Sequence, residues 1–194
     1  MSPPHAPPPV PAARADRFRT FYAATYADLL RFAQRRVHPS HAEDVVADVF
    51  LVAWRRLDEL PTAPGDARAW LFGIARNTIL NDRRSGRRRQ ALTVRLAETT
   101  VPPAGTGPEA DLDAVAQRVD LAAAWRRLSA VHQETLALRL WDGLSAPEAA
   151  RVLGISPVAF RLRLTRARRA LRAHLDHLPA AGRAPAGLSE RSTS

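Results

Sequence analysis

Between Gly143 and Arg172 the chain carries two sets of helix-bounding signals only a few residues apart. Ser145 stands where a helix N-cap belongs, and Glu148 three residues on completes a capping box. Gly154 can take the left-handed conformation that closes the helix begun there. Ser156 caps a second helix, with Pro157 in its first turn, where the missing N–H costs nothing. Two short helices joined by such a turn form a helix-turn-helix, the unit whose second helix enters the DNA major groove.

The second helix supports that ligand. At about 100° per residue, Phe160, Leu164, Ala167, Leu171 and Leu175 fall in one arc of roughly 80°, which is the expected core face. Arg161, Arg163, Arg166, Arg168, Arg169 and Arg172 all lie outside it. Val158 and Leu162 also lie among the arginines, where no core is expected. Val158 and Leu162 are placed to reach thymine methyls, flanked by Arg161 and Arg163. An arginine-solvated surface helix is the competing reading. Composition bears on the choice: the formal charge is +10, and all 29 basic side chains are arginine. That balance points to a polyanion, either nucleic acid or an acidic membrane surface. Arginine's fork suits phosphate and guanine, although abundant Ala and Pro also fit a GC-rich genome.

No segment shows the alternation of a strand, so the expected fold is all-α, in two small helical domains joined by a flexible linker. Proline and alanine dominate the first residues, read as a disordered arm over 1–15. A helix is expected over Phe18–Val37, with Phe21, Tyr22, Thr25, Leu29, Phe32 and Ala33 as its apolar stripe. A second runs from Ser40 or His41 to Leu60, carrying Val45, Val49, Val52 and Leu57. A third covers about Ala67 to Arg84, with Trp70 or Leu71, Ile74, Ala75 and Thr78; a short extension follows over Arg87–Ala97. Two glycines and three prolines between Thr99 and Pro108 break the pattern. Helical spacing resumes with Leu112, Val115, Val119, Ala122, Trp125 and Leu128, and Ser129 caps the next helix, to about Trp141. The polar end, 178–194, reads as a disordered tail. At roughly 70 and 65 residues, each module is small enough to be only marginally stable alone.

Other classes are disfavoured. With no cysteine there are no disulfides or thiolate metal sites. Met1–Pro11 lacks the basic start and apolar core of a signal peptide, and no apolar run approaches the ~18 residues of a membrane span. A cytoplasmic protein without membrane contact of its own is expected. The six histidines are scattered, and the pair His174 and His177 lacks a third ligand. No nucleotide loop or metal-ligand spacing is present, so no metal, cofactor or enzymatic reaction is expected.

Three stretches together carry a family resemblance. His41–Arg55 contains Ala-Glu-Asp-Val, Ala69–Arg84 contains Trp-Leu-x-x-Ile-Ala-Arg-Asn, and Leu138–Arg168 holds the helix-turn-helix. Together, over about Phe18 to Leu175, they resemble an extracytoplasmic-function (ECF) sigma factor of bacterial RNA polymerase. The resemblance implies sigma region 2 over 16–97, a linker over 98–110 and region 4 over 111–177. It implies promoter recognition and DNA melting with core RNA polymerase, and an anti-sigma partner. The first stretch then grips the polymerase clamp, the second opens and reads the −10 element, and the third reads the −35 element.

The chemistry of each stretch can be read beside that resemblance. Asp44, Asp48 and Arg55 form a charged side on which Phe50 or Trp54 would be the apolar centre of a docking surface; both aromatics also read as core. The family glutamine is replaced by Ala47, which removes a polar contact. Trp70, Arg76, Asn77, Asn81, Arg84 and Arg88 mix flat, amide and cationic groups, the mixture that unstacked single-stranded DNA requires. Trp70 reads equally as core. The resemblance adds a pocket for a flipped base in the loop 61–67, with Thr62 and Asp66. On the −35 side the candidates are Ser156, Pro157, Val158, Arg161, Leu162, Arg163 and Arg166.

About 20 extended linker residues span at most roughly 65–70 Å, close to two turns of duplex at ~34–36 Å each. Both promoter elements are then within reach at once. The same slack lets the modules fold onto each other in the free protein and hide their DNA surfaces. A free-standing helix-turn-helix regulator is the alternative reading; a third is a protein that sequesters polymerase without initiation.

Overall fold

The computed structural model describes residues 12–84 and 108–177, without the side chains of 83, 84, 108–114 and 116. The described residues form helices and turns with no strand, as expected. The first module comprises α1 (Ala12–Gln34), α2 (Ala42–Arg55) and α3 (Pro64–Arg84), with single 3-10 turns at Pro39–His41 and Leu57–Glu59. The three helices pack pairwise on one another. Leu29, Phe32, Ala33, Val46, Val49, Ala53, Leu71, Phe72, Ala75 and Ile79 are buried at their centre. The Phe32 and Phe72 rings stack there with centroids 4.5 Å apart. Between the two residues considered for the α3 stripe, Leu71 is the buried one and Trp70 sits at the margin.

Two helices of the first module begin earlier than their sequence patterns indicate. Helix α1 starts at Ala12, inside the stretch read as a disordered arm, and not at Phe18. Tertiary contacts explain the extra turns: Arg14 donates to Asp58 at 2.6 Å and to the Trp54 carbonyl at 3.0 Å, and Arg17 donates to the Leu60 carbonyl at 2.8 Å. Helix α3 starts at Pro64, a residue preorganised for a first helical turn. The extension read over Arg87–Ala97 lies outside the described residues, as do the tail and most of the arm and linker.

In the second module α4 (Pro108–Arg127), α5 (Ala130–Leu140) and α6 (Ala146–Leu153) surround α7 (Pro157–Asp176). Helix α4 takes in Pro108, Glu109 and Ala110, which were read as linker. Its burial also departs from expectation. Ala124, Trp125 and Leu128 enter the core, whereas Val115 and Val119 are 47% and 59% exposed. Among the described side chains of α4, the buried ones are those at its C-terminal end. Buried Gln133 closes that end by donating to the Trp125 carbonyl at 2.9 Å and to the Leu128 carbonyl at 3.3 Å.

The helix-turn-helix signals act as read. The Ser145 N–H donates to the Glu148 carboxylate at 2.6 Å. Gly154 has φ of +66°, where a side chain would be strained. Ser156 Oγ accepts from the Ala159 N–H at 3.1 Å. On α7 Phe160, Leu164 and Ala167 are buried, while Leu171 is half-buried and Leu175 emerges near the helix end.

The two modules share one continuous core and meet along α3 and α6. Where α1 ends, Arg36 is almost wholly buried, at 1% exposure. Its guanidinium lies 3.5 Å from the centre of the Phe32 ring and donates to Asp142 at 2.7 Å and to both Glu134 oxygens at 3.2 Å. Arg35 pairs with the other oxygen of Asp142.

Candidate nucleic-acid and polymerase interfaces

The recognition helix presents a continuous outer face. Val158 and Leu162, one turn apart, are 61% and 56% exposed. Arg161 and Arg166 flank them in solvent, Arg163 is half-buried, and Ser156 and Pro157 form the exposed leading end. Capping fixes that end: Ser156 holds the first turn, and the buried side of α7 leaves this face pointing outward. The face combines cations for phosphate with two apolar groups suited to thymine methyls.

Helix α3 brings together the second set unevenly. Asn77 and Asn81 are exposed one turn apart, and Thr62 is exposed in the loop before the helix. Trp70 is half-buried, with its ring 6.3 Å from that of Phe21, so it supports the fold and leaves only part of its surface for stacking. Arg76 is half-buried, its Nε shut off from solvent. Asp66 pairs with Arg151 of α6 at 2.7 Å. Arg88 and the side chain of Arg84 lie outside the described residues.

On α2 the structure redraws the candidate docking face. Asp44, Asp48 and Arg55 are exposed along one side of the helix, at spacings of four and seven residues that keep them aligned. Phe50 is 5% exposed and lies in an aromatic cluster, its centroid 4.4 Å from that of Tyr22 and 6.1 Å from that of Phe18. It does not stand at the centre of that face. Trp54 is half-buried against Phe18, at 5.0 Å. The apolar group aligned with the exposed charges is Leu51, 55% exposed, beside exposed Ala47. Sequence reading passed over Leu51; its spacing of seven from Asp44 and four from Arg55 was the available signal.

The Arg36 cluster was also missed. Arg36 extends the stripe Leu29, Phe32, Ala33 by one turn, and a charge continuing an apolar stripe was the clue to a buried ion pair. Burial pushes the Glu134 carboxyl above the ordinary glutamate range; the Arg36 charge opposes that, the Asp142 charge adds to it, and Arg76 opposes it further. Arg76 therefore feels a carboxylate of the other module. Among the described residues no three His, Asp or Glu side chains gather as a metal site, and no helix is long and apolar enough to cross a membrane.

An all-helical pair of modules, one a capped helix-turn-helix with an arginine face, defines a DNA-binding protein of bipartite design. The sigma-70 region 2 family matches residues 21–89, and the sigma-70 region 4 family matches residues 118–171. The chain is 35% identical over 168 residues to the ECF RNA polymerase sigma factor SigL of Mycobacterium tuberculosis, covering 86% of this chain and 93% of SigL. It is 37% identical over 141 residues to the RNA polymerase sigma factor CnrH of Cupriavidus metallidurans, covering 69% and 73%. The solved structure of CnrH in complex with the cytosolic domain of CnrY matches with a TM-score of 0.56 at 30% identity, over 84% of this chain and 94% of that one. The chain belongs to the ECF family of sigma factors and is an RNA polymerase sigma factor. A free-standing helix-turn-helix regulator is not favoured, because the first module matches sigma region 2.

Proposed function

We propose that the roles within this sigma factor divide by helix. Helix α7 reads the −35 element through Ser156, Pro157, Val158, Arg161, Leu162, Arg163 and Arg166. Helix α3 and the loop before it engage the melted −10 strand through Thr62, Asp66, Trp70, Arg76, Asn77 and Asn81, with Arg84 and Arg88 on the backbone. The α2 face of Asp44, Asp48, Leu51 and Arg55 docks on core polymerase, with Trp54 at its edge and Phe50 holding the helix from beneath. The single observation that carries this division is the outer face of α7, where two apolar side chains stay in solvent among arginines. A helix packed for stability alone gains nothing from exposing Val158 and Leu162, whereas a groove lined with thymine methyls gives them a partner.

In this reading the protein acts in the cytoplasm and makes or breaks no covalent bond; it selects where polymerase starts. CnrH is known in complex with the cytosolic domain of CnrY, and that likeness supports a protein antagonist here too. Run-off transcription with purified core polymerase tests the reading. A promoter-dependent transcript that appears only with this chain is expected. No transcript from any upstream region enriched on the tagged protein would defeat it.

A further inference from the structure

We propose that the free protein closes on itself through Asp142, clasped between Arg35 and Arg36, and that closure withholds the leading half of the −10 helix while leaving the −35 helix open. The inference rests on the roles just assigned to α3 and α7.

The lock joins residues about a hundred positions apart. Asp142 sits in the turn after α5, fully buried; one oxygen takes Arg35 and the other takes Arg36, the latter at 2.7 Å. Arg36 is itself oriented from behind, donating to the Phe32 carbonyl at 3.1 Å and lying over the Phe32 ring. Glu134 closes the opposite side, 3.2 Å from Arg36 Nε. Two guanidiniums from the end of α1 thus meet two carboxylates from the second module.

A second contact lies beside the lock. Arg151 of α6 pairs with Asp66 of α3 at 2.7 Å. Gly65 allows this approach: a Cβ built on it would stand 2.2 Å from Glu148 Oε1, the carboxylate that also closes the α6 capping box. The arm of Arg68 lies toward Gly143, in the turn that carries Asp142.

Masking is therefore asymmetric. Closure engages Asp66 directly and holds Arg76 near Glu134, half-buried. Asn77 and Asn81 remain exposed, so beyond Arg76 the helix keeps an uncovered side. Val158 and Leu162 on α7 stay in solvent. A promoter can be approached through its −35 element before the leading half of α3 is free.

The chemistry suits a reversible device. Desolvating charges offsets much of their mutual attraction, so a buried ionic interface holds two parts in register without binding them irreversibly. Polymerase, by occupying the first module, can then displace the second.

The absence of native cysteine makes a clean test possible. In the full-length chain, Gly65→Cys with Glu148→Cys should form a disulfide under mild oxidation, because the Glu148 side chain already reaches the space beside Gly65. With core polymerase, the oxidised variant should give at least tenfold less run-off transcript than the same variant after reduction, while its binding to a −35 duplex is unchanged. Independently, Asp142→Arg sets a third cation against Arg35 and Arg36; it should enlarge the radius of gyration in solution scattering with helical content retained. Failure of the disulfide to form, equal transcription by oxidised and reduced forms, or an unchanged radius would each overturn the proposal. Disulfide yield and scattering report on closure alone. Absence of transcript from wild-type and reduced protein would instead refute the assigned function.

Discussion

On the proposed reading helices α7 and α3 both meet promoter DNA, yet the fold treats them differently. Helix α7 has its core face held by three neighbours of its own module, which leaves the opposite side free along its length. Helix α3 is buried on one side by α1 and α2 and is met near its start by α6 of the other module. The same residue types therefore arrive in different states: Arg161 and Arg166 are exposed, whereas Arg76 is half-buried beside a foreign carboxylate. A duplex reader can be prepared in advance, because its ligand is present before melting. A single-strand reader has no ligand until the duplex opens, and covering part of it costs nothing before then.

The strongest way to break this contrast is to remove the buried cation. Arg36→Met leaves Asp142 with only Arg35 and Glu134 without its main counter-charge. Loss of one partner from a buried ionic cluster typically costs about 3–5 kcal/mol, so urea unfolding should show a large fall in midpoint together with expansion in scattering. A midpoint unchanged from wild type would mean the cluster holds nothing. Next in size is Leu51→Asp on α2, which places a third carboxylate beside Asp44 and Asp48. Truncations at interface centres cost about 2 kcal/mol or more, and polymerase affinity in a titration should weaken by more than tenfold, with thermal stability kept. Phe50 distinguishes the two kinds of residue: its replacement should lower stability before it affects docking.

On the open helix, Leu162→Ser should relax preference at one −35 position. A single lost base contact is worth about 1–3 kcal/mol, so discrimination there should fall by about tenfold in a selection from randomised −35 duplexes. Unchanged preference would show that Leu162 faces a protein.

The smallest effect expected is with pH. Glu134 is held above the ordinary glutamate range in the closed form by burial, opposed by Arg36 and Arg76 and assisted by Asp142. A raised pKa in the closed form means that closing takes up a proton. Closure is then strongest below the ordinary glutamate range and weakens as pH rises through the raised value. Inter-module energy transfer between dyes should decline over that window, and Glu134→Gln should remove the dependence.

Much of the second module was legible because its signals are local. Ser145, Glu148, Gly154 and Ser156 each act within four residues of themselves, so their roles follow from spacing. The core arc of α7 was equally plain, since periodicity alone separates Phe160, Leu164 and Ala167 from the arginines. Boundaries failed where distant residues decide them. Between Ala12 and Phe18 alanine and arginine favour a helix, but no apolar stripe marks its start; Arg14 and Arg17 hold it by reaching Asp58 and the Trp54 and Leu60 carbonyls. Val115 and Val119 have helical spacing, but a stripe is buried only where another element covers it.

By itself, then, the sequence determined an all-α chain, a helix-turn-helix with its arginines outward, and membership of a two-part promoter reader. The first two rest on caps, turns and periodicities that a few neighbouring residues settle, the third on the resemblance of three stretches to a known family. Tertiary structure alone decided that Asp142 lies between Arg35 and Arg36. That depends on which surfaces meet, and residues over a hundred positions apart leave no local mark of their meeting.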